Sequence, residues 1–217
     1  MKFLLGLAVG LSLLSVSAVA AESPAAFKPG VDYDLLSPPQ PTDDPAKVEV
    51  KEFFSYGCSH CYEFEPDINA WLKRKPASVD FLRQPVAFGR PQWATYARIY
   101  LTADALGVVD KIQPEVYKIL HVEKKDLQDE KEIEELFVKK GGVSKDDFNM
   151  AFTSFSVVMK VKQADDVVER YRVTGTPTLI VNGKYIVSPG KAKSFARMIE
   201  ITDALIKQES DQARAPN

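Results

Sequence analysis

The sequence predicts an α/β fold interrupted by an inserted all-helical subdomain, and three observations predict it. A strand–helix–strand pattern occupies residues 47–88. A strand–strand–helix pattern occupies residues 178–207. Between them, about 80 residues carry helical spacing and almost no strand signal.

In the first pattern, "KVEVKEFFS" (47–55) alternates and is rich in Val and Phe, as a strand should be. Alternation sets Val48, Val50, Glu52 and Phe54 on one face, so the Glu52 carboxylate shares an apolar surface. Residues 58 to about 75 read as a helix, with Phe64, Ile68, Trp71 and Leu72 spaced for one apolar face. "SVDFLRQPVAF" (78–88) reads as the second strand.

About five helices are expected over residues 92–172. "WATYARIYLTADALG" stops at Gly107, and "KEIEELFVKKGG" sets Ile133, Leu136 and Phe137 on one face with Lys139 and Lys140 in its last turn. Ser144 is an N-cap with acidic residues after it, followed by Phe148, Phe152 and Phe155. Val157, Val161, Ala164, Val168 and Tyr171 continue at helical spacing.

At the end of the chain, "TLIV" and "KYIV" flank Asn182-Gly183, a dipeptide suited to a type I′ hairpin turn. Pro189-Gly190 reads as a turn, 191–207 as a helix and the polar residues 208–217 as a disordered tail. The expected organisation is a two-part α/β domain, 47–90 and 173–207, with 91–172 inserted. Residues 21–46 hold six prolines and form an extended arm, in which "VDYDLL" (31–36) supplies one edge strand.

Composition narrows the function. With 217 residues, 45% of them hydrophobic, the chain can bury a full core. A net charge of −2 without a basic stripe offers no footprint for nucleic acid. Residues 1–20 read as an export signal: Met1-Lys2, an apolar run over 3–16, then Ala18-Val19-Ala20, with the cut after Ala20 or Ala21. The apolar run is shorter than the ~20 residues a spanning helix needs. The mature protein is therefore expected in a compartment where disulfides persist.

The two cysteines of the chain lie three residues apart in "FFSYGCSHCYEFEP". A bond between them closes a very small loop, so it is poorly placed as a staple. Cys58 falls at the start of a helix, whose unpaired N–H groups and partial positive charge favour a thiolate. His60, between the cysteines, adds positive charge when protonated. Stabilising the reduced form makes the disulfide a stronger oxidant. The rival readings are a structural disulfide and a metal site. Cys-x-x-Cys supplies only two ligands, however, and the other histidine, His121, belongs to a different helix.

"GTPT" (175–178) places Pro177 at the entry to a strand, where proline needs a special reason. A cis Thr176–Pro177 bond would supply one, exposing the Thr176 backbone to an extended peptide.

"EFFSYGCSHCYEFEP", the helical insertion and "VTGTPTLIVNGKYIV" together resemble the DsbA family of periplasmic thiol:disulfide interchange proteins, over essentially the whole mature chain. The resemblance implies a thioredoxin fold with an inserted helical subdomain. It implies a redox-active Cys58–Cys61 disulfide with Cys58 exposed and Cys61 buried, and a cis Pro177 beside the pair. It also implies reoxidation by a DsbB-type membrane quinone reductase. It supports a buried Glu52 that carries a proton to or from Cys61. Two positions depart from the best-known members: Ser59 stands where they have proline, and Thr176 where some strong oxidants have valine. Both lie against the sulfurs and bear on the potential rather than on the reaction type.

The expected function is periplasmic donation of the Cys58–Cys61 disulfide to newly exported proteins. No metal, nucleotide or flavin is required, and Ser59, Thr176 and Pro177 line the substrate. Insertion helices should lie over the active-site end of the sheet. A reductase or isomerase of the same fold is the first alternative. Known isomerases of this type usually carry an N-terminal dimerisation domain, which the short arm does not provide; a monomer is expected. A peptide-binding module with an incidental disulfide is the second.

Overall fold

Strand β2 (Val48–Phe54) organises the molecule. In the computed structural model, which describes residues 27–214, β2 pairs in parallel with β3 (Val79–Pro85), Glu52 opposite Arg83. On its other edge it pairs antiparallel with β4 (Thr178–Val181), Phe53 opposite Thr178. Strands β5 (Tyr185–Val187) and β1 (Asp34–Leu35) complete a five-stranded sheet among the described residues, in the order β1-β5-β4-β2-β3. Having neighbours on both edges and layers on both faces explains the Val and Phe content of β2. The register also brings the start of β4, just after Pro177, beside the end of β2, just before Cys58.

Helices α1 (Ser59–Leu72) and α9 (Phe195–Arg214) cover one face of the sheet. Val48, Val50, Leu179 and Val181 pack there with Phe64, Ile68, Trp71, Met198 and Leu205. Phe53 and Ile180 point to the opposite face, against Val168, Tyr171 and Val173. This is the period-two alternation expected of a strand.

The insertion between β3 and β4 holds six α-helices: α2 (Pro91–Ala105), α3 (Val109–Tyr117), α4 (Glu130–Leu136), α5 (Lys145–Phe152), α6 (Phe155–Lys162) and α7 (Ala164–Arg170). Helices α3 and α4 each end in a π-helical turn, Lys118–Val122 and Phe137–Gly141. Ile99, Ile112, Val116, Ile133, Phe137, Phe148 and Phe152 form its core, which continues without a break to Phe54, Tyr56 and Cys61.

Ser144 caps α5 as expected, accepting from the Asp147 N–H at 3.0 Å. A second cap, Ser154, accepts from Val157 N–H at 3.3 Å and starts a new helix, leaving Phe155 in its first turn and 81% exposed instead of in the core. The Asn182-Gly183 turn has φ of 50° and 62°, the left-handed pair of a type I′ hairpin. A side chain at Gly183 would run into the Gln40 carbonyl.

Three expectations need correction. Pro189-Gly190 is the start of a short helix, α8 (Pro189–Ala192), and the last helix begins at Phe195 after Lys193 turns left-handed at φ 71°. Residues 208–214 continue α9 rather than forming a disordered tail. The reason is Glu209, whose buried carboxylate accepts from Asn182 Nδ2 at 2.5 Å, Lys184 Nζ at 2.6 Å and Tyr185 OH at 2.6 Å. Within the arm, only Asp34–Leu35 of the expected 31–36 strand pairs, with β5.

The expected export signal over 1–20 and the arm up to residue 26 lie outside the described residues, as do residues 215–217. Among the described residues, no helix is long and apolar enough to cross a membrane.

Candidate active site

Cys58 is the N-cap of α1, with extended dihedrals (φ −93°, ψ 116°). The loop before it is tied down by Cys58 N–H to Ser55 O at 3.0 Å and Gly57 N–H to Ser55 Oγ at 3.2 Å. One helical turn on, Cys61 is completely buried, whereas Cys58 is half-buried. Both carry free thiols.

Their electrostatics differ sharply. Hydrogen bonding from the Cys61 thiol, above all, lowers Cys58 to about 5, with help from the Thr176 side chain and the backbone N–H groups of Cys61 and His60, against the opposing effect of burial. Burial, and then the Cys58 thiolate beside it, pushes Cys61 well above the ordinary thiol range. Near neutral pH these shifts favour a Cys58 thiolate beside a protonated Cys61.

The Thr176–Pro177 peptide is cis, as expected, and Cys58 Sγ lies 3.3 Å from the Thr176 carbonyl oxygen. Ser59 is the first residue of α1. His60 is placed differently from the expectation of a charged ring at the sulfur. Its imidazole Nδ1 pairs with Glu63 at 3.1 Å on the exposed face, and its backbone N–H is what reaches Cys58.

Glu52 is buried on β2. Burial raises its carboxyl above the usual range although the Arg83 guanidinium, 2.8 Å away, pulls in the other direction. Arg83 also reaches Glu65 at 3.3 Å. Arg83 and Glu65 were not legible as site residues: one reads as a polar position on a strand, the other as one of several acids on a helix. Only the Glu52–Arg83 register joins them.

The insertion does lie over this end of the sheet. Trp93 packs against Gly57, His121 Nε2 donates to the Tyr56 carbonyl at 2.7 Å, and the Tyr62 and His121 rings stack at 4.9 Å. His121 is therefore a support of the loop before Cys58. Among the described residues, no cluster of His, Cys, Asp and Glu could hold a metal ion.

A dithiol with one low and one high cysteine, at the N-terminus of the first helix after a central strand, defines a thiol:disulfide oxidoreductase on a thioredoxin-like sheet. Comparison with known proteins agrees. The family model described as DSBA-like thioredoxin domain matches residues 49–198. The thiol:disulfide interchange protein DsbA of Pseudomonas syringae pv. tomato is 40% identical over 207 residues, 95% of this chain and 94% of that protein. The crystal structure of Pseudomonas aeruginosa DsbA superposes with a TM-score of 0.81 at 35% identity, over 87% of this chain and 97% of that one. A Proteus mirabilis DsbA variant, solved with a non-covalently bound peptide, superposes at 0.71 with 28% identity, over 85% of this chain and 98% of that one. The chain belongs to the DsbA family.

Proposed function

We propose that this protein is a periplasmic disulfide donor that uses Cys58 as the attacked sulfur and Cys61 as the leaving one. The observation that carries the reading is the split between the two thiols, Cys58 near 5 and Cys61 far above the ordinary range. A substrate thiolate attacks Cys58 Sγ of the Cys58–Cys61 disulfide. The sulfur–sulfur bond breaks, and Cys61 takes the electron pair and a proton. A second substrate thiolate then attacks the substrate sulfur of the mixed disulfide and expels Cys58. A low-pKa thiolate leaves fast, and its stabilisation in the reduced enzyme drives the exchange towards oxidised substrate.

The remaining residues have supporting roles. Glu52, buried and raised, carries a proton to or from Cys61. His60 contributes its backbone N–H to the Cys58 sulfur, while its ring pairs with Glu63. Thr176 and Pro177 present a backbone edge at the sulfurs, and Ser59 completes the lining. A cleft of about 380 Å3 beside His60, lined also by Glu63, Pro189 and Phe195, suits an extended substrate. The bound peptide of the Proteus mirabilis relative, PWATCDS, contains a cysteine and supports this substrate class. Reoxidation falls to a DsbB-type membrane quinone reductase. Residues 1–20 are the cleaved export signal, 21–46 the arm, and 91–172 the insertion into a thioredoxin-like domain formed by 47–90 and 173–214.

Equilibration with glutathione tests the reading. The reduced enzyme should predominate in buffers that leave ordinary structural disulfides oxidised, and reduction should raise the unfolding temperature. An oxidised form markedly more stable than the reduced one would reassign the protein as a reductase.

A further inference from the structure

Cys61 must gain a proton each time it leaves and lose it each time it is reoxidised, yet its side chain has no contact with solvent. The fold holds three buried side-chain atoms that bear on this, each without a partner among the described residues. The hydroxyls of Tyr56 and Tyr117 and the Oε1 of Gln113 are buried and have no hydrogen-bond partner among the described residues. Native folds leave few such atoms, because each keeps its desolvation penalty unless water or a function accounts for it.

The two hydroxyls share one region with Cys61, and Gln113 stands beside it on α3. Tyr56 and Tyr117 belong to the same buried cluster as Cys61, with ring centroids 5.1 Å apart and ring planes perpendicular. Gln113, one turn before Tyr117 on α3, turns its amide nitrogen to Glu65. Glu65 and Gln113, with Arg83, line a cavity of about 150 Å3 whose lining also includes the exposed residues Asn69 and Asp110. That is room for several waters.

We propose that the Tyr117 and Tyr56 hydroxyls and the Gln113 amide oxygen, bridged by bound water, relay protons between the Cys61 sulfur and the cavity at Glu65. The proposal rests on the reading that Cys61 is the leaving sulfur, and adds the path its proton takes. When the disulfide opens, Cys61 holds the electron pair as a thiolate. A hydroxyl hands it a proton while taking one from the water behind it, and the cavity refills the water from solvent. One proton enters and no group stays ionised. Reoxidation runs the same path outward.

The charged and titratable groups facing the path are Glu52 from β2, Arg83 from β3, Glu65, Tyr62 and Cys58 at α1, Tyr100 from α2, and His121 from the π-helical turn after α3. Burial holds both tyrosines well above their usual range, which suits hydroxyls that pass protons without ionising. Glu52, gripped by Arg83, buffers the same proton.

Replacing each tyrosine by phenylalanine removes only the hydroxyl. The test is stopped-flow oxidation of a two-cysteine peptide in H2O and in D2O by the parent, Tyr56→Phe, Tyr117→Phe and the double variant. The double variant should react about tenfold more slowly, with a smaller solvent isotope effect. Its glutathione equilibrium should stay within about twofold of the parent, since a relay changes rates only. Its melting temperature should be equal or higher, because the lost hydroxyls have no protein partners. Parental rates and isotope effect in the double variant would overturn the proposal. So would a slowing matched by an equal shift of the glutathione equilibrium, which would mean the hydroxyls act on sulfur energetics. If the parent itself fails to oxidise the peptide, the underlying reading has failed instead.

Discussion

Cys58 Sγ and the Thr176 carbonyl oxygen lie 3.3 Å apart although 118 residues separate them in sequence. A protonated Cys58 donates to that carbonyl. A thiolate has no proton to donate, and instead accepts hydrogen bonds from Cys61, from the Thr176 side chain and from two backbone N–H groups. Ionisation of Cys58 thus frees the Thr176 carbonyl for an incoming backbone N–H. The same contact joins the acid–base state of the sulfur to the edge offered to a substrate strand.

Alkylation of the reduced protein by iodoacetamide should therefore follow a titration with its midpoint at about pH 5. Cys58 should react and buried Cys61 should not. The linkage has a definite sign. Cys58 is depressed on folding, so its contribution to reduced-state stability is full above its ordinary value of 9.0, declines as pH falls, and is gone below about 5. With allowance for solvent screening of a partly exposed sulfur, it is worth roughly 1–2 kcal/mol at neutral pH. Urea unfolding of the reduced form across this window checks it. A stability gap between reduced and oxidised forms that widens towards acid would contradict it.

Gly57 should not tolerate a side chain. A Cβ there would lie 2.5 Å from Trp93 Nε1 and 3.0 Å from the Tyr96 ring. Gly57→Ala must push the Trp93 indole aside or move the loop that sets Cys58. A cost of about 1–3 kcal/mol is expected, as for other overpacked sites. Trp93 emission should shift, and peptide oxidation should slow. An unchanged melting curve and emission spectrum would show that the loop has slack.

The parts of this fold that were legible in the sequence are those that local physics dictates. Alternation revealed β2, the Asn182-Gly183 pair revealed the hairpin, and Cys-x-x-Cys at a helix start revealed the chemistry. What escaped depends on tertiary pairing. Glu209 sits in a stretch without apolar spacing, and only its grip on Asn182, Lys184 and Tyr185 makes residues 208–214 helical. The orphaned hydroxyls of Tyr56 and Tyr117 read locally as ordinary core aromatics. Arg83 became a site residue only through its register with Glu52. His60 looked like a charged neighbour of the sulfur because sequence adjacency says nothing about where a ring points.

Arg83 is the cation that allows two carboxylates to stand inside the fold. It lies 2.8 Å from Glu52 and 3.3 Å from Glu65, and its side chain is only 9% exposed. Arg83→Met should cost about 3–5 kcal/mol, the usual penalty for leaving a buried charge unpaired. Glu52, already raised by burial, should rise further without its partner. A carboxyl raised on folding stabilises only while protonated, and that stability is lost as pH rises through its folded value. The deficit of the variant should therefore be largest at alkaline pH and shrink towards acid. A deficit independent of pH would mean that packing, and not charge, is what Arg83 supplies.

Glu209 gives the most direct test of where the fold ends. Its carboxylate receives three donors from the β4–β5 hairpin and sits among buried groups. Burial alone would raise it, but Lys184, Tyr185 and Asn182 together hold it below the ordinary carboxylate value. Glu209→Ala leaves those donors without a partner and should cost about 1–3 kcal/mol. The depressed value sets the sign of the pH dependence: the stabilisation is present above the ordinary 4.5 and is lost as pH falls through the folded value. Glu209→Ala and the parent should therefore converge in acid. Deleting residues 208–217 should cost at least as much as the point substitution, because it removes the carboxylate and the helical turn that presents it. Peptide oxidation at neutral pH should be nearly unchanged in both variants, since the hairpin turn lies at the end of β4 away from Pro177 and Cys58. A deletion variant with the parental urea midpoint would show that residues 208–214 add nothing to the fold and act as a solvated tail after all.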